Sequence, residues 1–600
     1  MQRVLFGTDE PVPAEREWCA GPLTTRLRGT RLGPIVVDGH EVWHGVDFLY
    51  RDPDWGTPSP SIDRVGQETS AQGFRVVLQG RIDSAIAFEI TLYGEPDHMR
   101  YEVTATVLAD VLANRAGLVV MHPLSVCGRA VHVEHTDGRT SQSTFPIMVA
   151  PWPPFTLVRA VRHEYAPGAW AVCRLAGDDF ELEDQRNNAD ASFKTYSRSN
   201  LMPRPYLLRS GTVLRQSVDL RLESGPTAPL LRRYGPVNIT VGGCAGPWPS
   251  VGTAIAAADL TRAQAIGDVV AALAPAHIHL ELARPDDEFD ATSVARLIAA
   301  AGGCALRLQV GGASAEAGPL RQIASALQGA GAMPSAVAVF PSTTPVVAAA
   351  RRAFPLARVG GGTPHFFTQL NRIEDLAAVD FLAFATSNVV HGADDEETMA
   401  GLQSLPAMLE TLRCRHGTLP VQIGPSSIGA RSSPLGGQPT SDGTRRLALA
   451  RRDPRTRGLY GAAWAVGYVA QFARPGVESI TLFDLLGDAA VVNADGATTP
   501  AFEVLRRLGA PARRRAVTIP QGVPVACVAL ERRTGCEFIL ANLSALPLAV
   551  VLQAADLPPW VQLMDAQSLS HRQKNPGAQP WRLVHCAGAL TLPAYAVAFV

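Results

Sequence analysis

Nineteen consecutive residues, Phe180 to Arg198 (FELEDQRNNADASFKTYSR), hold four carboxylates, two arginines, a lysine, two adjacent asparagines and a tyrosine. Apolar Leu182 and Phe193 interrupt them. A solvated loop has no need of those two residues, and a core strand cannot bury so much charge unpaired. If 180–187 and 190–197 are neighbouring β segments, Glu181 and Glu183 share one face. Asp190, Ser192, Lys194 and Tyr196 then share another, with Phe193 turned inward. Carboxylates beside an ammonium, a phenol and two amides could activate water and stabilise an oxyanion. The competing reading is a salt-bridge network that ties two domains together. Lys194 adds weight to the chemical reading, because the chain has lysine only at 194 and 574. A compact ammonium changes its pKa on burial far more readily than a guanidinium.

Other polar groups fall into three sets. The stretch 122–138 (HPLSVCGRAVHVEHTDG) carries His122, His132, Glu134, His135 and Asp137, a possible cluster or simply the polar face of a sheet. HIHLE (277–281) places His277 and His279 on one strand face, as a zinc site would, but a zinc hydrolase needs further ligands whose spacing is not specified here. Structural histidines are the simpler account. Glu281, Asn371, Arg372, His391, Asp394, Asp395, Arg431 and Asp484 complete the list. Asp394 and Asp395 read first as helix N-terminal acids.

The elements that must position these residues change character along the chain. Residues 1–230 read as an antiparallel β-sandwich, with short alternating runs such as GFRVVLQGRI, AFEITLYG and RYEVTATVLA between turn residues. A Pro- and Gly-punctuated linker is expected at 223–236. Residues 236–510 then alternate strand and helix. Eight strand candidates (237–243, 277–282, 305–310, 336–341, 357–362, 381–387, 420–426 and 479–485) and helical stretches such as 254–273, 313–328 and 396–413 predict a (β/α)8 TIM barrel. Residues 515–600 return to strands and read as a small C-terminal β-sandwich. The fold class is therefore multidomain, α/β plus β. Strands four and seven end in FPSTTP and IGPSS, with no carboxylate at either end. A retaining glycosidase on a barrel generally takes its acid pair from those strands, so an ordinary glycosidase is disfavoured and kept as the alternative.

Composition narrows the class further. A formal charge of −1 leaves no basic field for nucleic acid or anionic lipid. The N-terminus lacks a signal-like apolar segment, and the apolar run 459–473 is too short to span a bilayer. Nine scattered cysteines without a C-x-x-C spacing fit a reducing, cytoplasmic setting.

ELEDQRNNADASFKTYSR, followed by PRPYLL and GTVLRQSVDLRL, resembles the D-apionate lactonases. So do LYRDPDWGT (49–57), 117–146, VGGGTPHFFTQLNR and NVVHGADDEE, so the likeness spans most of the chain. The family's Trp-Thr after EDQRN is replaced here by Asn188 and Ala189, which bears on substrate preference. The resemblance implies a carboxylic ester hydrolase of carbohydrate metabolism that opens D-apionolactone, or a related aldonolactone, to the free acid. Chemistry assigns the roles. Glu183 or Asp184 is the base that activates water, and Lys194 stabilises the developing negative charge. Arg186, Asn187, Asp190, Tyr196, His122, Asn371 and His391 bind the substrate. No cofactor is expected, and a divalent metal stays open as a mechanistic variant. The expected partner is a small sugar lactone, with neither nucleic acid nor membrane.

Overall fold

The structure is a computed structural model that describes residues 1–226, 228–230, 235–282, 289–487, 490–554, 557–586 and 588–600. It divides into two compact units. One comprises Pro11–Tyr234 and Leu435–Pro439, the other Met1–Glu10, Gly235–Pro434 and Thr440–Val600. Part of the linker expected at 223–236 lies outside the described residues.

The first unit is antiparallel throughout its large sheet. Strands such as Phe74–Ile82, Ile86–Glu95 and His98–Val107 alternate buried and accessible residues, the signature of one face on a core and one on water. Trp18, Trp43, Phe48, Tyr101, Phe145 and Phe193 stand among the residues that fill this core. Arg115–Pro123 departs from the alternation and is buried along its whole length. Phe180–Asp184 and Ser192–Ser197 lie in the same sheet, and the second of these is also buried throughout. A polar strand with no exposed face must satisfy its charges internally.

The second unit contains the barrel. Its parallel strands are Ser250–Ala256, His277–Leu282, Ala305–Gly311, Ala336–Phe340, Arg358–Phe366, Leu382–Ala385, Val421–Ser426 and Val477–Leu486, and the first pairs with the eighth to close the cylinder. The first strand is therefore not 237–243, as the sequence had suggested. Val237–Pro247 joins the C-terminal sheet, antiparallel to Arg513–Thr518 and parallel to Leu548–Gln553. Burial explains the difference. Val237–Pro247 is exposed along much of its length, whereas Ser250–Ala256 is covered on both faces, as a barrel strand wrapped by helices must be. The helix expected over 254–273 is likewise shortened, because Ala254–Ala256 completes the first strand and only Leu260–Gln264 and Gly267–Leu273 are α-helical.

Helix Leu459–Phe472 is apolar on nearly all sides and buried on nearly all sides. Gly467 makes that possible: a Cβ there would meet Leu402 at 2.6 Å and Leu543 at 3.2 Å, so the helix lies tight between the barrel's own loops and the C-terminal sheet. Trp464 on this helix is fully buried, packs on Tyr468 and on Phe483 of the eighth strand, and donates from Nε1 to Asn388 Oδ1 at 3.2 Å. Among the described residues no helix is long and apolar enough to cross a membrane. Trp464→Ala is expected to destabilise the barrel unit by about 3–5 kcal/mol. A lower urea midpoint reports this, with Trp464→Phe well above the alanine variant, whereas an unchanged midpoint in Trp464→Ala would refute the packing argument.

Candidate active site

Cross-strand register sorts the acidic ribbon into two faces. Phe180–Asp184 pairs antiparallel with Ser192–Ser197, so Glu181 opposes Tyr196, Glu183 opposes Lys194 and Asp184 opposes Phe193. Arg115–Pro123 lies on the other side of Ser192–Ser197, with Met121 opposite Lys194 and His122 opposite Phe193. Paired residues point the same way. Glu181, Glu183, Lys194 and Tyr196 therefore share one face, and Asp184, Phe193 and His122 share the other.

On the first face Arg115 organises the charges. Its Nη2 donates to Glu181 Oε1 at 2.7 Å and also to Glu183 Oε1, and its guanidinium lies 4.1 Å from the centre of the Tyr196 ring. Ser199 donates to the second oxygen of Glu181 at 2.8 Å. Asn200 and Gln185 donate to Glu183 at 3.0 and 2.6 Å, and Asn188 donates to Gln185 at 2.9 Å. Lys194 Nζ donates to Asp190 Oδ2 at 2.7 Å. Burial first, then the charge of Glu183, pushes the Glu181 pKa up to about 7 against the pull of Arg115. Glu183 keeps a side chain 19% exposed, while Arg115 beneath it is nearly sealed. The 3-10 turn Gln185–Asn188 ends on Ala189 in the left-handed region, φ 57°, which swings the chain back into the next strand.

The opposite face is differently occupied. Asp184 accepts from Arg186 Nε at 2.9 Å and Nη2 at 2.6 Å, and from the Ala150 amide at 3.0 Å. Arg186 also donates to the carbonyls of Pro146, Ile147 and Met148. Asn187 donates to the Ala150 and Asp184 carbonyls. These three side chains hold the 146–150 segment onto the sheet. His122 is fully buried against Phe145 and His163, with Nε2 2.9 Å from Thr195 Oγ1, and burial drives its pKa far below the usual imidazole range. The wider histidine stretch disperses too. His135 contacts Thr156 and Ser141, Glu134 pairs with Arg174, and Asp137 pairs with Arg139. Among the described residues no group of His, Cys, Asp and Glu is arranged to hold a metal ion.

In the barrel unit Asn371 ends helix Phe367–Asn371 and accepts from Arg415 Nη1 at 3.0 Å. His391 is half-buried in the segment after strand six. Asp394 caps helix Asp395–Ala400 through the amides of Glu396 and Glu397, and Asp395 pairs with Arg446 and Arg455. Strand four is followed by Ser342, which donates to the Val339 carbonyl and accepts from the Gly362 amide. Strand seven ends in Ser426, which accepts from the Thr386 amide. Both positions are thus filled by hydroxyls with backbone partners. His277 and His279 do share a face, the barrel interior. His277 bridges Ser250 and Thr481 at 2.8 Å each. The sequence undervalued Arg115, whose role depends on register across three strands, and the only sequence signal for it is a lone charge in the apolar run 115–123.

Similarity to known proteins covers nearly the whole chain. Three family models match in order: D-apionate lactonase, N-terminal domain, at residues 3–225; D-apionate lactonase, TIM barrel domain, at 251–513; and D-apionate lactonase, C-terminal immunoglobulin-like domain, at 523–600. A D-apionate lactonase of Brucella anthropi is 32% identical over 584 residues, 91% of this chain and 95% of that protein. Among solved structures, a family 51 α-L-arabinofuranosidase of Bifidobacterium longum superimposes with a TM-score of 0.43 at 11% identity, over 61% of this chain and 99% of its own. A GH30 endoxylanase of Clostridium papyrosolvens gives 0.41 at 11% identity, over 61% and 99%. With all three domains matched in sequence and order, this chain belongs to the D-apionate lactonase family.

Proposed function

We propose that this enzyme hydrolyses D-apionolactone, or a closely related aldonolactone, to the free aldonate. The observation that carries this is the 32% identity to the Brucella anthropi D-apionate lactonase along almost the full length of both chains. All nine cysteines are free thiols, which supports a reducing compartment such as the cytoplasm.

Glu183 is the better candidate for the base of the two carboxylates considered. Asp184 is saturated by Arg186 and the Ala150 amide on the core side of the sheet, whereas Glu183 shares its face with Lys194 and retains some exposure. In this reading Glu183 takes a proton from water as the water attacks the acyl carbon. Lys194, oriented by Asp190, stabilises the tetrahedral oxyanion. Collapse breaks the ring C–O bond, and the proton held by Glu183 passes to the leaving alkoxide. Tyr196, fixed under Arg115, assists at the same face. Asn371 and His391 are retained as substrate-binding proposals. Arg186 and Asn187 serve the shape of the site, since their side chains bond to the protein, and His122 is sealed in the core beside Thr195.

A pH-indicator assay on a panel of aldonolactones, with apionolactone included and aryl glycosides as controls, tests the activity. Acid release from lactones alone is expected, and turnover of aryl glycosides would replace this reading with the glycosidase one. Glu183→Gln should lower kcat by about 10²–10⁴-fold with KM changed far less. Lys194→Arg keeps the charge but not the compact geometry, and should lose at least about tenfold in kcat/KM. Wild-type kcat/KM in Lys194→Arg would remove that residue from the mechanism.

The raised pKa of Glu181 has a stability consequence whose sign is fixed. The folded enzyme keeps the Glu181 proton up to about pH 7, while an unfolded chain releases it near the ordinary 4.5. The unfolded state therefore binds fewer protons in that window, and stability falls as pH rises through it. Glu181→Gln should flatten this slope by an amount on the order of 2–3 kcal/mol between pH 4.5 and 7, read from urea unfolding at a series of pH values.

A further inference from the structure

The barrel interior carries a polar constellation that the ribbon chemistry does not use. Glu281 on the second strand neighbours Gln309 on the third and Ala256 on the first. Arg431, just beyond the seventh strand, donates from Nη1 to Asp484 Oδ1 at 2.6 Å and from Nη2 to Glu281 Oε2. Gln309 donates to the other oxygen of Glu281 at 3.2 Å. These groups stand at the C-terminal ends of their strands, where barrels hold their ligands.

Three further observations separate this arrangement from a sealed ion pair. First, Arg431 is 8% exposed while Glu281 and Asp484 are 22% and 24% exposed, so two carboxylates rise towards the mouth over one buried cation. The second oxygen of Asp484 receives no hydrogen bond from the described residues. Second, Nε of Arg431 and Nε2 of His279 are buried with no hydrogen-bond partner among the described residues. A buried polar atom left this way is costly unless something else meets it. Burial, then the charges of Arg307 and Arg431, pulls the His279 pKa down to about 3, so the ring is neutral.

Third, the backbone is bent to place Asp484 there. On the eighth strand Ser479 and Thr481 face the axis, where they meet Arg307 and His277. Plain alternation would turn residue 483 inward next and residue 484 out to the helices. Instead Phe483 adopts φ +57°, the register against the first strand breaks between Gly252 and Ala254, and the Phe483 ring packs on Trp464 of the helix layer. That bulge inverts the alternation and delivers Asp484 to Arg431. Left-handed backbone at a buried phenylalanine is strained, and such strain gathers at functional sites.

We infer that Glu281, Asp484 and Arg431 form a clamp at the barrel mouth that binds adjacent hydroxyl groups of a neutral polyol, the hydroxyl-bearing part of the lactone substrate. This rests on the proposed function for the identity of the ligand. The carboxylates accept O–H donors, and the buried arginine keeps both ionised and correctly spaced. Ala256, small and half-buried, stands beside Glu281 on the neighbouring strand. One net negative charge also favours the uncharged lactone over the aldonate product.

The test compares D-apionolactone with unsubstituted γ-butyrolactone, which lacks the hydroxyls. In Asp484→Asn the kcat/KM preference for the hydroxylated lactone should fall about 10–100-fold, expressed mainly in KM. Ala256→Leu, which adds bulk beside Glu281 without touching a charge, should do the same. Circular dichroism and the thermal midpoint establish that each variant is folded. Saturation-transfer NMR with erythritol measures polyol binding without turnover: binding to wild type and its loss in both variants support the clamp. An unchanged preference in folded Asp484→Asn, or a fall in kcat with KM unaltered, overturns it. If wild type opens no lactone, the proposed function fails while the erythritol titration still decides the clamp, with equal binding by wild type and Asp484→Asn counting against it.

Discussion

A guanidinium buried between carboxylates is the interaction on which this protein repeatedly depends. Arg115 sits between Glu181 and Glu183, Arg431 between Glu281 and Asp484, and Arg455 between Asp453 and Asp395. Each arginine is almost sealed from solvent, so each would be prohibitive if left alone. Its planar fork lets one residue satisfy two acids at once and hold them at a set separation. Where the acids are also buried, as Asp453 is beside Arg455, the result is a structural rivet. Where an acid reaches partly into solvent, as Glu183, Glu281 and Asp484 do, the same device presents a carboxylate of fixed position and charge.

This use of arginine gives the lysine in the ribbon its meaning. In a chain that takes arginine almost everywhere, Lys194 sits on the same strand face as Glu183 and is held by Asp190. A third guanidinium beside Arg115 and Arg51 would crowd the Tyr196 ring that both already approach. The compact ammonium fits beside them, paired with Asp190. Asp184 and Arg186, one residue on either side of Gln185, form the structural counterpart on the other face. Two adjacent acids, Glu183 and Asp184, are thus separated in role by the pleat of one strand.

Strand alternation governs the barrel in the same way. Strands two and three line the interior with polar residues, His277, His279, Glu281, Arg307 and Gln309, in place of the branched aliphatics that usually fill such a cylinder, while Ala336, Ala338 and Phe340 of strand four are apolar. Ser250 and Thr481 bond His277 and Ser479 accepts from Arg307 in the lower part, and Arg431 organises the top. Trp464 then matters twice. It fills the space between helix and barrel, and it gives Phe483 the outward contact that stabilises the inverted alternation.

Much of the fold was legible because it rests on local periodicity. Alternating runs announced the antiparallel unit, the strand–helix rhythm announced the barrel, and the serines after strands four and seven were visible directly. The capping role of Asp394 also followed from spacing. The first barrel strand was misplaced because 237–243 and 250–256 are both short apolar runs, and only burial on one face or two separates them. The face His122 shares with Asp184 depends on register with a strand about seventy residues away, that of Asp184 and Lys194 on pairing across the short turn between their strands, and the position of Asp484 on a single left-handed residue. Residue types and their periods are properties of the chain alone, so they determined the classes of element and the inventory of reactive groups. Which groups meet is a matter of pairing and bulges between distant segments, and that was decided only when the strands closed on one another.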